Sequence, residues 1–184
     1  MVDIDNYAHH AVDGSGAELK EVVLGLHWDP PQEDADTRPA DLDAVCMLFG
    51  MHGKSLEVVH PGNPRSRDGA VIHTGDSRTG ASQWDDERIF VFLNALPQSV
   101  VALTFVVASP AGLPLAEVRG ASCHLSDHAS EEELLRVEFA GLQPATAYRI
   151  ATLTRSAAGW RISTDAHPLP EPLKAIRRLQ SGSA

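Results

Sequence analysis

The stretch VIHTGDSRTGASQWDDERIFVF, residues 71–92, contains the signals that predict the architecture of this chain. Both of its ends are rich in Val, Ile and Phe, which are enriched in β-strands. Between them lies a run of Gly, Ser, Thr and Asp, a composition typical of a loop. This loop ends on three consecutive acids, Asp85, Asp86 and Glu87. The stretch therefore predicts two strands joined by a loop that collects carboxylates at one end of them.

The rest of the chain repeats this pattern of short apolar runs separated by turn residues. One run is ambiguous, because Ser130 and Glu133 resemble a helix capping box, but we interpret it as a strand. Strands are predicted at residues 21–28, 42–50, 55–60, 70–74, 88–94, 100–109, 116–127, 130–142, 146–156 and 159–164. Many short strands and little helix indicate an all-β fold, a two-sheet antiparallel β-sandwich.

The two ends of the chain differ from this pattern. In residues 170–180, PEPLKAIRRLQ, the apolar side chains Leu173, Ile176 and Leu179 recur near helical spacing, so a short C-terminal helix is predicted. The opening residues are polar and contain glycines, which favours a flexible arm. The predicted organisation is an N-terminal arm at 1–18, a β-sandwich domain at 19–180 and a tail at 181–184.

Composition narrows the classes of function. The chain has 184 residues and a formal net charge of −10, which argues against nucleic acid as a partner. No apolar run approaches the roughly 18 residues of a membrane-spanning helix, and no signal peptide is recognised at the N-terminus. Cys46 and Cys123 lie in apolar runs, so we expect both to be buried in a protein of a reducing compartment. A cytoplasmic location is the resulting expectation.

A second segment of the chain is expected to bring further acids close to those of the central loop. Loops gather at the ends of a β-sandwich, and Asp41 and Asp43 precede another predicted strand with both side chains on one side. Two carboxylates about 4 Å apart repel by about 4 kcal/mol at an effective dielectric constant near 20. The acids could point into water, bind protons or share a cation. The candidate cluster is Asp41, Asp43, Asp76, Asp85, Asp86 and Glu87.

Carboxylates and backbone carbonyls are the ligands that Ca²⁺ prefers, in flexible geometry that suits a loop. The 12-residue spacing from Asp76 to Glu87 imitates an EF-hand, but Arg78 occupies a ligand position and the flanking segments are strands. An EF-hand is therefore excluded. Spacing alone leaves two readings open, a calcium site or a solvated acidic surface.

These residues also carry a family resemblance. HTGDSRTGASQWDDERI, residues 73–89, resembles the signature of the TerD family of bacterial tellurium-resistance and stress proteins. Similar matches, in the same order along the chain, are VVLGLHWD (22–29), DLDAVCMLFG (41–50), VALTFVVAS (101–109) and GWRISTDAHPLPEPLKAI (159–176). The resemblance implies a two-sheet sandwich that binds Ca²⁺ through the six acids of the candidate cluster. It also implies a non-enzymatic role with protein partners in a stress-response complex.

The sequence departs from the family pattern inside the loop. Gln83 stands where the family has an acid, and Ser82 and Trp84 stand where it has glycines. These departures support an alternative, a divergent metal-free member that serves as a protein-interaction domain. Trp84 is expected to be partly exposed. No G-x-S-x-G nucleophile motif is present, so an enzyme is not expected.

Overall fold

The protein is a sandwich of two five-stranded antiparallel sheets. The computed structural model describes residues 19–31 and 40–169. The strands are β1 (Glu21–His27), β2 (Asp43–Phe49), β3 (Ser55–Val59), β4 (Val71–Thr74), β5 (Glu87–Phe92), β6 (Ala102–Ala108), β7 (Ser122–Asp127), β8 (Glu133–Glu138), β9 (Ala147–Ser156) and β10 (Gly159–Pro168). Short 3₁₀ turns occur at Met51–Gly53, Leu93–Ala95 and Leu115–Glu117.

The strand order places the acidic segments at one end of the sandwich. The first sheet runs β4-β5-β1-β7-β8, and the second runs β10-β9-β6-β2-β3. The acid-rich loop joins β4 to β5, which pair with Thr74 opposite Arg88. β2 starts at Asp43 in the second sheet. The start of β5 in one sheet and the start of β2 in the other therefore lie on facing layers.

The core between the sheets is built by alternation along each strand. On β1, Leu24 and Leu26 are fully buried and point inward, whereas the residues between them point to the outer face. Phe105 and Leu153 are fully buried on the second sheet. Burial of these large side chains, at roughly 25 cal/mol per Å² of apolar surface, is the main force that holds the two layers together.

A second apolar cluster lies apart from this core. It combines Val45, Val58, Val106, Ala108 and Ala147, with Met47 and Leu169 packed against it. All five buried members belong to strands of the second sheet, and Val45 alternates with the core residues Ala44 and Cys46 along β2. The outer face of the second sheet is thus apolar as well, so both faces of its middle strands are buried.

The predicted sandwich and its strands are confirmed. The ambiguous run at 130–142 contains a strand, Glu133–Glu138, and the hairpin before Gly159 turns at Ala157-Ala158, with Ser156 opposite Gly159. Cys46 and Cys123 are buried free cysteines. Across the described residues, no helix is long and apolar enough to cross a bilayer. The predicted N-terminal arm (1–18), C-terminal helix (170–180) and tail (181–184) lie outside the described residues.

The core predicts the cost of a cavity. Leu24→Ala removes a fully buried side chain in a central strand and is expected to lower the free energy of unfolding by about 2–5 kcal/mol. Met51→Ala removes an apolar side chain that is 64% exposed and should change it by no more than about 0.5 kcal/mol. Urea unfolding measures both. Equal losses in the two variants would contradict the assignment of Leu24 to the core.

Candidate functional site

Asp86 organises the acid-rich loop from its inside. Its carboxylate is fully buried and accepts hydrogen bonds from the backbone N–H of Trp28 (3.1 Å), the Ser77 hydroxyl (3.1 Å) and the backbone N–H of Ser82 (3.2 Å). His27 Nδ1 lies 3.0 Å from the same carboxylate. A buried carboxylate is costly unless its lone pairs are satisfied, and here the loop and the end of β1 supply the donors. Asp86 is therefore a structural anchor of the loop.

Glu87, the next residue, points between the two sheets. Its side chain accepts a 2.7 Å hydrogen bond from the backbone N–H of Ala44 on β2, and His73 Nε2 lies 3.2 Å from the same oxygen, Oε2. Burial raises the pKa of Glu87, and the contacts with His73 and Ala44 oppose that rise. The other oxygen, Oε1, is buried without a hydrogen-bond partner among the described residues. An unsatisfied buried carboxylate oxygen costs free energy that a proton or a cation could recover.

Asp43 and Asp76 lie within electrostatic range of Glu87, and Asp41 lies within range of Asp43 and Asp76. Burial raises the pKa of Asp43 to about 7, and the charges of Glu87, Asp41 and Asp76 add to the rise. Burial likewise raises the pKa of Asp41, with Asp76 adding to the effect and Arg78 opposing it. Arg78 is itself 3.7 Å from Asp76. These four acids, called here the inner acid group, crowd negative charge at the end of the sandwich.

Asp85 belongs to a different surface. Its carboxylate contacts Arg88 Nε at 2.8 Å and His124 Nε2 at 3.1 Å. Partial burial works to raise the pKa of Asp85, but the hydrogen bonds and charges of His124 and Arg88 hold it below its ordinary value. The acid is thus already neutralised by basic partners. Asp85 lies on the outer face of the first sheet, whereas Glu87 lies between the sheets.

The structure therefore separates the six acids predicted as one cluster. Asp41, Asp43, Asp76 and Glu87 come together, Asp86 is enclosed by loop donors, and Asp85 is paired outside. Within residues 19–31 and 40–169, no three His, Cys, Asp or Glu side chains are already arranged as metal ligands. Three histidines that contact these acids, His27, His73 and His124, were not in the predicted cluster. Their contacts depend on strand register, so spacing along the chain contained no signal for them.

Two glycines let the loop fold closely against the strands. Gly80 has φ +63°, and a Cβ there would lie 2.4 Å from Trp28 Cδ1 and 2.6 Å from the Trp28 carbonyl oxygen. Gly75 has φ +88°, and a Cβ there would lie 2.5 Å from the Asp86 carbonyl oxygen. Trp28 is fully buried, and its indole N–H donates to the Ala40 carbonyl at 3.1 Å. The loop is thus packed on a tryptophan that also reaches the segment before β2.

The fold is a two-sheet β-sandwich whose acid-rich loop closes on the start of a strand in the facing sheet. The TerD domain model matches residues 7–178, which is most of the chain, so this protein belongs to the TerD domain family. The resemblance seen in the sequence is confirmed.

Individual relatives agree with that assignment. The chain is 32% identical over 174 residues to the tellurium resistance protein TerZ of Serratia marcescens, covering 91% of this chain and 90% of that protein. It is 29% identical over 153 residues to general stress protein 16U of Bacillus subtilis (strain 168), covering 79% of each chain. A solved structure of a homologue of telluride resistance protein (TerD) from Streptomyces coelicolor A3(2) superposes with a TM-score of 0.73 at 27% identity, covering 90% of this chain and 99% of that one.

The close packing of Gly80 predicts a matched pair of substitutions. Gly80→Ala and Gly112→Ala both place a side chain at positive φ, which costs roughly 1–2 kcal/mol. Nothing lies within 4 Å of a Cβ at Gly112, whereas at Gly80 it would meet Trp28. We expect Gly80→Ala to lose roughly 1–3 kcal/mol more than Gly112→Ala in urea unfolding, because only Gly80 is overpacked. Equal losses would show that the loop does not pack on Trp28.

The inner acid group predicts a pH dependence of stability in the presence of a chelator. Folding raises the pKa of Asp43 from 3.8 to about 7, so between these values the folded state keeps a proton that the unfolded state releases. Stability is therefore expected to decrease as the pH rises from about 4 to 7, because the unfolded state binds fewer protons. Asp43→Asn, which stays neutral, should lose this part of the decrease.

The control for this test is Glu132→Gln, at an exposed acid in the turn between β7 and β8. It should keep the wild-type pH dependence. Urea midpoints at pH 5 and pH 7 in EDTA give the comparison. If Asp43→Asn and the wild type changed equally between the two pH values, Asp43 would not be a buried acid of raised pKa.

Proposed function

We propose that this TerD-family protein is a calcium-binding, non-enzymatic module of a bacterial stress response. The observation that carries the proposal is the inner acid group, Asp41, Asp43, Asp76 and Glu87, together with the unpartnered buried oxygen of Glu87. These residues fit a hard cation, because they offer oxygen ligands and excess negative charge. A bound Ca²⁺ would neutralise the repulsion that adds to the effect of burial on the pKa of Asp43. Asp85, already paired with Arg88 and His124, is not expected to serve as a ligand.

A binding or scaffold role is supported by how the loop uses its polar groups. The carboxylate of Asp86 holds the loop together, and Glu87 joins the two sheets, so the acids position backbone and charge. The names of relatives, a tellurium resistance protein and a general stress protein, support a stress-response context. Protein partners in that response are part of the proposal. The two buried free cysteines support a reducing compartment, and we propose the cytoplasm.

The alternative, a metal-free protein-interaction domain, rests on a different observation. Trp84, at a position where the family signature has glycine, is 77% exposed. An exposed tryptophan is a common anchor of protein interfaces. The two functions can be separated because one requires the inner acid group and the other does not.

Calcium binding is tested by thermal melts in EDTA and in CaCl₂. At a Ca²⁺ concentration about 100-fold above the dissociation constant, binding stabilises the folded state by about 2.7 kcal/mol. For a domain of this size that is a rise in Tm of about 5–10 °C. Asp43→Asn and Glu87→Gln should lose the rise, because each removes a charged ligand of the inner acid group.

The matched control is Asp85→Asn, an acid from the same run that lies outside the group. It should keep the wild-type rise in Tm with Ca²⁺. The Tm of each variant in EDTA shows that it folds. If no melting temperature moved with Ca²⁺, the metal-free alternative would stand. If Asp85→Asn lost the rise as well, the ion would be held by the wider set of six acids.

A further inference from the structure

The outer face of the first sheet carries a row of basic side chains that is not visible in the sequence. Strand register places Arg88 of β5 opposite Gly25 of β1, Gly25 opposite His124 of β7, and His124 opposite Arg136 of β8. Residues opposite each other on neighbouring strands lie on the same face, about 5 Å apart. Two arginines and a histidine therefore form a line across four strands of a protein with net charge −10.

Gly25 makes this row continuous. A Cβ at this position would lie 2.3 Å from His124 Nε2 and 2.6 Å from an oxygen of Asp85. The space that a side chain would fill is occupied instead by the Asp85 carboxylate, which contacts both Arg88 and His124. Asp85 uses the Nε of Arg88 and leaves its terminal N–H groups for another acceptor. The acid thus orients two donors of the row.

Trp84 borders the same surface in a fixed position. Its backbone N–H donates to the Ser82 hydroxyl at 3.2 Å, and its carbonyl oxygen lies 3.1 Å from His27 Nδ1. The indole is nevertheless 77% exposed, the highest value among the large apolar side chains of the described residues. The ring and the basic row line one open groove of about 340 Å³, which His27 also lines. Trp84 therefore has a fixed backbone and a solvent-exposed indole ring, which suits it to contact a ligand.

The chemistry of the groove selects a class of ligand. Arg88, Arg136, His27 and His124 line the groove together with one acid, Asp85, while Glu133 and Asp86 pair with Arg136 and His27 beside it. The bases still outnumber these acids by four to three. Arg136 is paired with Glu133 through Nε, at 3.1 Å to both oxygens, and through Nη2, at 2.5 Å to Oε2, which orients its guanidinium without using all five N–H donors. Carboxylates fit such donors, and an aromatic or aliphatic side chain fits the indole face. The open shape favours an extended peptide over a small molecule, since small-molecule sites enclose most of the ligand.

We propose that this groove, called here the outer groove, binds an acidic peptide segment of a partner protein. Carboxylates of the segment contact Arg88 and Arg136, and an aromatic or aliphatic side chain next to them packs on Trp84. This proposal specifies the class of partner for the protein-interaction role proposed above, and it rests on that role. It does not require calcium, because none of its contacts involves the inner acid group.

The test is selection from a phage-displayed library of random peptides on the immobilised full chain, in EDTA and separately in CaCl₂. We expect enrichment of sequences that place Asp or Glu beside an aromatic or aliphatic residue, in both buffers. The most enriched peptide is then labelled, and its affinity for each variant is measured by fluorescence anisotropy. Trp84→Ala and Arg136→Gln are each expected to weaken binding by about tenfold or more, as for interface anchors.

Two substitutions serve as matched controls. Met51→Ala removes the other highly exposed apolar side chain, 64% exposed, and Arg67→Gln removes an exposed arginine near Glu57. Both lie outside the outer groove and should leave the affinity within about twofold of wild type. Thermal melts confirm that all four variants fold. Increased salt should weaken wild-type binding, because exposed charge contacts are screened.

The proposal is overturned if no sequence is enriched, if the enriched peptides are basic, or if binding is unchanged in both Trp84→Ala and Arg136→Gln. Failure here is distinct from failure of the calcium proposal. If the Tm rises with Ca²⁺ but no acidic peptide binds, only the peptide-binding proposal for the outer groove is refuted. If peptide binding persists in EDTA and the Tm does not respond to Ca²⁺, only the calcium-binding proposal is refuted.

Discussion

One buried carboxylate joins the two layers of this sandwich at its acidic end. Glu87 begins β5 in the first sheet, points inward and accepts the backbone N–H of Ala44 on the second sheet. Burial of a charged group is unfavourable unless its partners are in place, so this contact requires β2, β5 and His73 to meet in one arrangement. The same contact leaves Oε1 unsatisfied and holds Asp43 in a crowded site. The structural joint and the candidate ion site are thus one feature.

The three consecutive acids, Asp85, Asp86 and Glu87, have three different roles because the chain changes from loop to strand at this point. Side chains alternate along β5, so Glu87 points into the sandwich and Arg88 points to the outer face. Asp86 precedes the strand and is surrounded by N–H and O–H donors of the loop and of Trp28. Asp85 reaches the outer face, over the bare backbone of Gly25. Crowding in sequence therefore becomes separation in space, and repulsion among the three is reduced.

The loop also places two proposed binding surfaces close together without merging them. The inner acid group is negative and extends from the buried Glu87 to the exposed Asp76, whereas the outer groove combines arginines and histidines with an exposed tryptophan. Asp86 contacts both sides, because His27 reaches it from the outer face and Trp28 from within. The chain belongs to the TerD domain family, with relatives named for tellurium resistance and general stress.

Much of the fold could be read from residue order. Alternating apolar runs and turn residues located the strands, and the acid-rich loop with its glycines identified both the family and the end of the sandwich that matters, because these signals are local. Which acids meet could not be read in this way. Asp43 and Glu87 share a site, and Arg88, His124 and Arg136 share a row, only through the pairing of strands distant in the chain. The register of the strands and the way in which the two sheets face each other are set by packing across the whole core. Residue spacing along the chain contains no information about that packing.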